Sequence, residues 1–201
     1  RINQILKYQT LRTKISSDLH DDVGTLLSSL AMQSDVLSID APPEKLDRFE
    51  KFSSQSREAM DRMRDTVWAI DSRKDNMISL IDRMNDYISD LSENNRIKII
   101  FIQDVGLLSS TIAPNIRQNI YLIFKEALNN ALKYSNGNNV EIKLKQTNQK
   151  FQLTIFDNGT NTEIKKSGTG ISNMKMRAKR IGGELTIDTN NGFTILLNVN
   201  N

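Results

Sequence analysis

The chain has 201 residues, with 27 Lys and Arg against 24 Asp and Glu, so its +3 net charge is interleaved and does not point to a nucleic-acid partner. There is no cysteine and a single histidine, His20, which excludes disulfides, thiol nucleophiles, zinc–thiolate sites and multi-histidine metal centres. No apolar run is long enough to cross a bilayer, no secretory signal is apparent, and Arg1 begins inside a periodic pattern, so the chain reads as a piece of a longer protein.

From Arg1 to about Leu37, apolar residues recur at helical spacing through Ile2, Leu6, Leu11, Ile15, Leu19, Val23, Leu26 and Leu30. The stretch DAPPEK (40–45) stops this helix and starts another, with proline in the first turn. The second helix carries two seven-residue series: Leu46, Ser53, Met60, Val67 and Phe49, Ser56, Met63, Ile70. This is an a/d seam interrupted only by its two serines. A two-helix hairpin cannot cover such seams by itself. The pattern therefore predicts a homodimeric four-helix bundle, with Met60 and Val67 in the dimer seam.

Composition changes near DSRKDN (71–76). A shorter amphipathic helix is predicted over about 77–92, a strand in RIKIIFIQDV (96–105), and a helix from Pro114 to about Tyr134. NVEIKLKQ (139–146) and FQLTIFD (151–157) alternate at period two and are joined by TNQK as a hairpin. A loop, NGTNTEIKKSG (158–168), leads to a helix at about 171–181. GGELTIDTNNGFTILLNV (182–199) is a closing hairpin with Asn-Gly in its turn region. The second half is therefore α+β, one sheet with helices on one face.

Four short motifs can carry chemistry. In DLHDDVG (18–24), His20 lies on the flank of the Leu19/Val23 stripe, where an imidazole is exposed, and Asp21 follows it. A carboxylate bonded to one ring nitrogen fixes the tautomer and leaves the other nitrogen the better nucleophile; a solvated surface histidine is the plainer reading. In FKEALNNALKYSN (124–136), Glu126, Asn130 and Lys133 are spaced i, i+4, i+7. They share a stripe bordering the apolar face of Ile116, Ile120, Ile123, Ala127 and Ala131, and Asn129 points away from it. A carboxylate, an amide and an ammonium in one row suit a magnesium–phosphate site, although any helix with a polar border would show them. In FDNGT (156–160), Asp157 can accept a hydrogen bond from an exocyclic amine such as adenine's, and Gly159 lets the backbone approach a base. Asp-Asn-Gly is also ordinary turn chemistry. In SGTGISNMKMRA (167–178), Gly168 and Gly170 enter a helix, so backbone amides can cradle phosphate behind a mobile lid, or the glycines simply punctuate a loop.

In this order the motifs resemble the sensor histidine kinases of two-component systems, within them the subfamily of the nitrate sensors and the bacillus lipid-fluidity thermosensor. SSDLHDDVGTLLSSL looks like the phosphoacceptor helix; FKEALNNALKYS, DNG, GTGISNMKMRA and NNGFTILL look like the nucleotide-binding boxes. The resemblance covers nearly the whole chain. It implies an all-α helical hairpin, a dimeric four-helix bundle for dimerisation and histidine phosphotransfer (1–72), followed by an α+β Bergerat-type ATP-binding sandwich (73–201) like that of gyrase and mismatch-repair ATPases. It makes His20 the phosphoacceptor, Asp21 its acid/base partner, Asn130 the magnesium ligand, Glu126 the acidic residue beside it, and Lys133 a phosphate contact. Asp157 would read adenine with Gly159 alongside, Gly168 and Gly170 would be lid glycines, and Thr194 would lie near the adenine.

The sequence departs from that family in three places. Asn161 replaces a second glycine after Gly159, Thr25 stands where a glutamine often positions water for phosphatase chemistry, and Tyr134 follows Lys133 where histidine is common. The implied activity is Mg²⁺- and ATP-dependent phosphorylation of His20, then transfer to an aspartate on a response-regulator receiver domain. The implied setting is the cytoplasmic part of a sensor protein, membrane-bound through a region before Arg1. A kinase-inactive signalling or phosphatase module on the same fold is the second reading.

Overall fold

The computed structural model describes residues 2–39, 41–92, 97–104, 106, 111–147, 150–160 and 169–200. Its contacts divide the chain into two compact units, residues 1–74 and 75–201.

The first unit is helical. Helix α1 (Ile2–Asp18) runs through a single π turn, Leu19–Val23, into α2 (Gly24–Ile39). Helix α3 (Pro43–Ile70) then folds back along α2, with Pro43 in its first turn. The α3 heptad seam faces α2 of the same chain. Ser34 Oγ donates to the Phe49 carbonyl (2.7 Å), and Ser53 Oγ donates to Asp35 Oδ1 (2.5 Å). Ser28 Oγ lies 3.1 Å from Met60 Sδ. Ser53, Ser56 and Val67 are buried within this single chain. Val67 is buried and Met60 half-buried within the single chain, so the seam expected to pack across a dimer already packs in part on its own hairpin: a seven-residue period records that a helix packs against another, not which one. Of the two serines that interrupt the seam, Ser53 is a polar tie inside the hairpin and Ser56 is simply buried. Exposed apolar side chains include Leu11 and Ile15 of α1, Leu26, Leu30, Val36 and Leu37 of α2, and Leu46 and Phe52 of α3.

The second unit is a five-stranded mixed sheet. Its helices are α4 (Met77–Ser92), α5 (Pro114–Tyr134) and α6 (Thr169–Arg180). Its strands are β1 (Lys98–Gln103), β2 (Asn139–Thr147), β3 (Lys150–Asp157), β4 (Glu184–Asp188) and β5 (Phe193–Asn200), in spatial order β1-β2-β3-β5-β4. Strand β1 is parallel to β2 and the other pairs are antiparallel. The Asn76 side chain caps α4 by accepting the Ser79 amide (2.8 Å). Across the central strands, Ile142, Ile155 and Ile195 align in one row, and Leu144, Leu153 and Leu197 in another, all buried. One face of the sheet is thus the core. It is covered with Leu80, Met84, Ile120, Ile123, Phe124, Leu128 and Met174 from the three helices, all 2% exposed or less. Period-two alternation made this half legible in advance.

Candidate functional site

The described candidate residues fall into two groups, one in each unit. In the first unit the helix opens at His20: the amide of Gly24 donates to the carbonyl of Leu19, a five-residue closure in place of four. The His20 side chain is 67% exposed, and its Nδ1 lies 3.2 Å from Asp21 Oδ1. A neutral imidazole that donates Nδ1–H to this carboxylate keeps its lone pair on Nε2. Asp21 is itself held, because Ser17 Oγ donates to its Oδ2 (3.4 Å) and Thr25 Oγ1 donates to its carbonyl (2.6 Å). A groove of about 300 Å³ runs beside the imidazole, lined by Gly24, Thr25, Met60, Met63 and Arg64. Arg64 brings a guanidinium to this groove, held by a long ion pair to Asp61 (3.6 Å). It escaped the sequence reading because it reaches the histidine's side of the hairpin from the other helix.

In the second unit, α5 presents Glu126 and Asn130 half-buried on one border, with Asn130 Nδ2 donating to Glu126 Oε1 (3.3 Å). Asn129 is exposed, and its Oδ1 accepts the Tyr87 hydroxyl (2.7 Å). Lys133 is exposed, with Nζ 5.2 Å from the centre of the Tyr134 ring. The start of α6 packs directly on the first pair. A β-carbon at Gly170 would lie 2.1 Å from Glu126 Oε1, so a larger residue there would require the end of the Glu126 side chain to move. Asp157 ends β3 at 5% exposure. Its Oδ1 accepts the Ser135 hydroxyl (2.5 Å) and the Gly159 amide (2.9 Å). Around it the α5–β2 loop is tied to the end of β3. Asn158 Oδ1 accepts the amides of Asn138 and Asn139 (both 3.0 Å), and Asn136 and Thr160 exchange two hydrogen bonds (2.9 and 2.8 Å).

The protein-family model described as "Histidine kinase" matches residues 12–75, and the one described as "Histidine kinase-, DNA gyrase B-, and HSP90-like ATPase" matches residues 115–200. The chain belongs to the histidine kinases. It is 28% identical over 186 residues to the sensor histidine kinase YxjM of Bacillus subtilis, covering 90% of this chain and 45% of that protein. It is 23% identical over 200 residues to the signal transduction histidine-protein kinase/phosphatase DegS of Brevibacillus brevis, covering 94% and 50%. The chain thus spans about half the length of these curated relatives. In structure it resembles the histidine kinase domain of the Erythrobacter litoralis blue-light activated kinase, with a TM-score of 0.56 at 14% identity, covering 87% of this chain and 94% of that one.

In this histidine kinase the matched ATPase segment contains Glu126, Asn130, Lys133, Asp157, Gly159 and Gly170. Thr194 is placed differently from expectation. It pairs with Phe156, and the alternation of the strands turns it to the face opposite Asp157. The residue across from Asp157 on its own face is Phe193. Two adjacent β-forming residues at a strand start do not reveal which one points inward, and register decided it. Gly168 and Asn161 lie outside the described residues. Ser135 was missed as well, since its link to Asp157 spans 22 residues of sequence.

Asn130 and Glu126 fit a magnesium ion by their chemistry: an amide oxygen and a carboxylate, adjacent and half-buried. Among the described residues no three His, Asp or Glu side chains cluster to form a protein-only metal cage.

Proposed function

We propose that this chain is the cytoplasmic core of a sensor kinase that phosphorylates its own His20 from Mg·ATP and passes the phosphoryl group to an aspartate of a response-regulator receiver domain. The observation that carries the reading is the exposed His20 imidazole with Nδ1 against Asp21 Oδ1 at 3.2 Å. In the transfer a bond forms from Nε2 to the γ-phosphorus and the bond from that phosphorus to the β–γ bridging oxygen breaks, releasing ADP. The imidazole becomes cationic, and Asp21 offsets that charge through the Nδ1–H it accepts.

The nucleotide side rests on residues of the second unit. Asp157 Oδ2 makes no hydrogen bond among the described residues and is the acceptor for the adenine amine. Asn130 is the magnesium ligand, with Glu126 beside it; the bound ion would neutralise phosphate charge. Lys133 contacts phosphate. Gly170 brings its backbone amide to the phosphates at the start of α6, and Gly168 is assigned as the second lid glycine by the resemblance alone. Residues 1–74 serve dimerisation and phosphotransfer, and 75–201 bind ATP. The homodimer reading is supported by α2, which leaves Leu26, Leu30, Val36 and Leu37 exposed although it is packed against α3. The motif residues favour the nitrate-sensor and thermosensor subfamily. No helix among the described residues is long and apolar enough to cross a membrane; a membrane-bound sensor region ahead of this segment is what the family resemblance implies.

The test is labelling with γ-³²P-ATP. The expected label is acid-labile, alkali-stable and absent from His20→Gln. A label that resists acid, or that persists in His20→Gln, overturns the proposal.

A further inference from the structure

We infer that Ser135 is a positioning residue for nucleotide recognition: its hydroxyl sets the Asp157 carboxylate so that one oxygen is saturated and the other is offered to the base. This rests on the reading of Asp157 as the adenine acceptor.

The geometry is an interlock of three residues. Ser135 caps α5, its amide donating to the Ala131 carbonyl (2.9 Å), and its extended backbone (φ −69°, ψ 138°) carries the side chain out of the helix. There Oγ accepts the Gly137 amide at 3.0 Å and lies 2.5 Å from Asp157 Oδ1. An ionised carboxylate only accepts, so the single hydroxyl proton of Ser135 points at Asp157. The Gly159 amide supplies a second donor to the same oxygen at 2.9 Å. An aspartate carboxyl otherwise turns over a broad, two-fold torsion. Two donors on Oδ1 hold that torsion and leave the acceptor capacity of Oδ2 for a ligand. Gly159 belongs to the device for a steric reason, since a β-carbon there would lie 2.3 Å from Ser135 Oγ and 2.8 Å from Asp157 Oδ1.

The chemical consequence is selectivity for a 6-amino purine. An amine donates to Oδ2, whereas the 6-oxo group of a hypoxanthine or guanine sets one acceptor against another. Without the Ser135 hydroxyl, the carboxyl is held by one donor and can turn. Discrimination at the base should then fall while the phosphate contacts stay in place.

The experiment measures binding of ATP and of inosine triphosphate, which carries oxygen in place of the 6-amino group, to the full chain and its variants, with thermal melts alongside. The unsubstituted chain is expected to prefer ATP by about tenfold or more, as a hydrogen bond to a charged group provides. Ser135→Ala should shrink that ratio to about threefold or less, with inosine triphosphate affinity nearly unchanged, and Ser135→Thr, which keeps a hydroxyl, should restore it. If Ser135→Ala does not fold, Ser135→Cys, of similar shape but a weak donor, replaces it. An unchanged ratio overturns the inference, as does an equal loss of both nucleotides, which would mark a purely structural role. No preference in the unsubstituted chain overturns the adenine reading of Asp157, and the inference with it.

Discussion

Asn129 and Asn130 are adjacent in sequence and differ in everything else. Asn130 sits half-buried against Glu126, and Asn129 stands outside, bonded to Tyr87. Asn130→Ala is expected to abolish magnesium-dependent phosphorylation. Asn129→Ala should cost about 1 kcal/mol of stability at most, for one exposed hydrogen bond, and leave activity in place. Autophosphorylation rates and melting curves of the two variants check this; equal loss of activity in both would refute it. Thr25 is a second residue-scale case. Its hydroxyl donates to the Asp21 carbonyl at 2.6 Å, so it is turned back onto its own helix. A side chain so engaged, and shorter than glutamine, should hold an attacking water poorly, and misplacement by about 1 Å can cost on the order of a hundredfold in rate. Thr25→Gln is therefore expected to speed dephosphorylation of a phosphorylated receiver domain without slowing autophosphorylation, as decay of the labelled regulator would show. His20, Asn130 and Asp157 were legible in the sequence because local spacing alone set each on a helix face or at a strand end. Ser135 and Arg64 were not, because each acts on a residue brought to it only by the fold. Thr194 was misplaced because strand register, which a single strand does not contain, decides the face.

At the scale of elements, α2 carries the argument for association. Leu26 and Leu30 are 64% and 42% exposed in the single chain, so a charge there leaves the hairpin intact and is buried only in a dimer. Leu30→Glu is expected to yield a folded monomer, and Met60→Glu, on the inner seam, a destabilised chain. Sedimentation with circular dichroism separates the two; a Leu30→Glu dimer as tight as the unsubstituted one would refute the assignment. The sequence showed the heptad period of α3 but not its partner, since packing within a chain and between chains gives the same repeat. The end of the first unit makes a claim about pH. Burial would raise the Asp71 carboxyl, but the Arg73 side chain (Nε to Oδ1 3.0 Å, Nη2 to Oδ2 2.9 Å), the Arg73 amide and the charge of Lys74 outweigh it and hold it below its ordinary 3.8. A lowered folded value means that the stabilisation is complete above 3.8 and is lost as the pH falls through the folded value. Melting curves from pH 6 downward should therefore fall more steeply for the unsubstituted chain than for Asp71→Asn; parallel curves would refute the role.

For the whole molecule, division after Lys74 gives the second unit its own core of sheet and three helices. Residues 75–201 alone are expected to fold cooperatively and bind ATP while taking up no label, as calorimetry and the γ-³²P assay would show; failure to fold would mean that the core depends on the hairpin. The contact division falls within DSRKDN (71–76), the stretch where the composition of the sequence changes. The π turn at Leu19–Val23 was not legible, because one added residue barely disturbs a pattern read by eye over thirty. A foreign sensor spliced ahead of α1 inherits the angular phase of Ile2–Asp18, not that of α2. One residue is about 100° of helical rotation, and the turn adds one residue to the count. Heptads counted back from Leu30 through His20 would mount such a graft more than a quarter-turn out of alignment, so chimeric receptors built on this core should take their joining frame from α1.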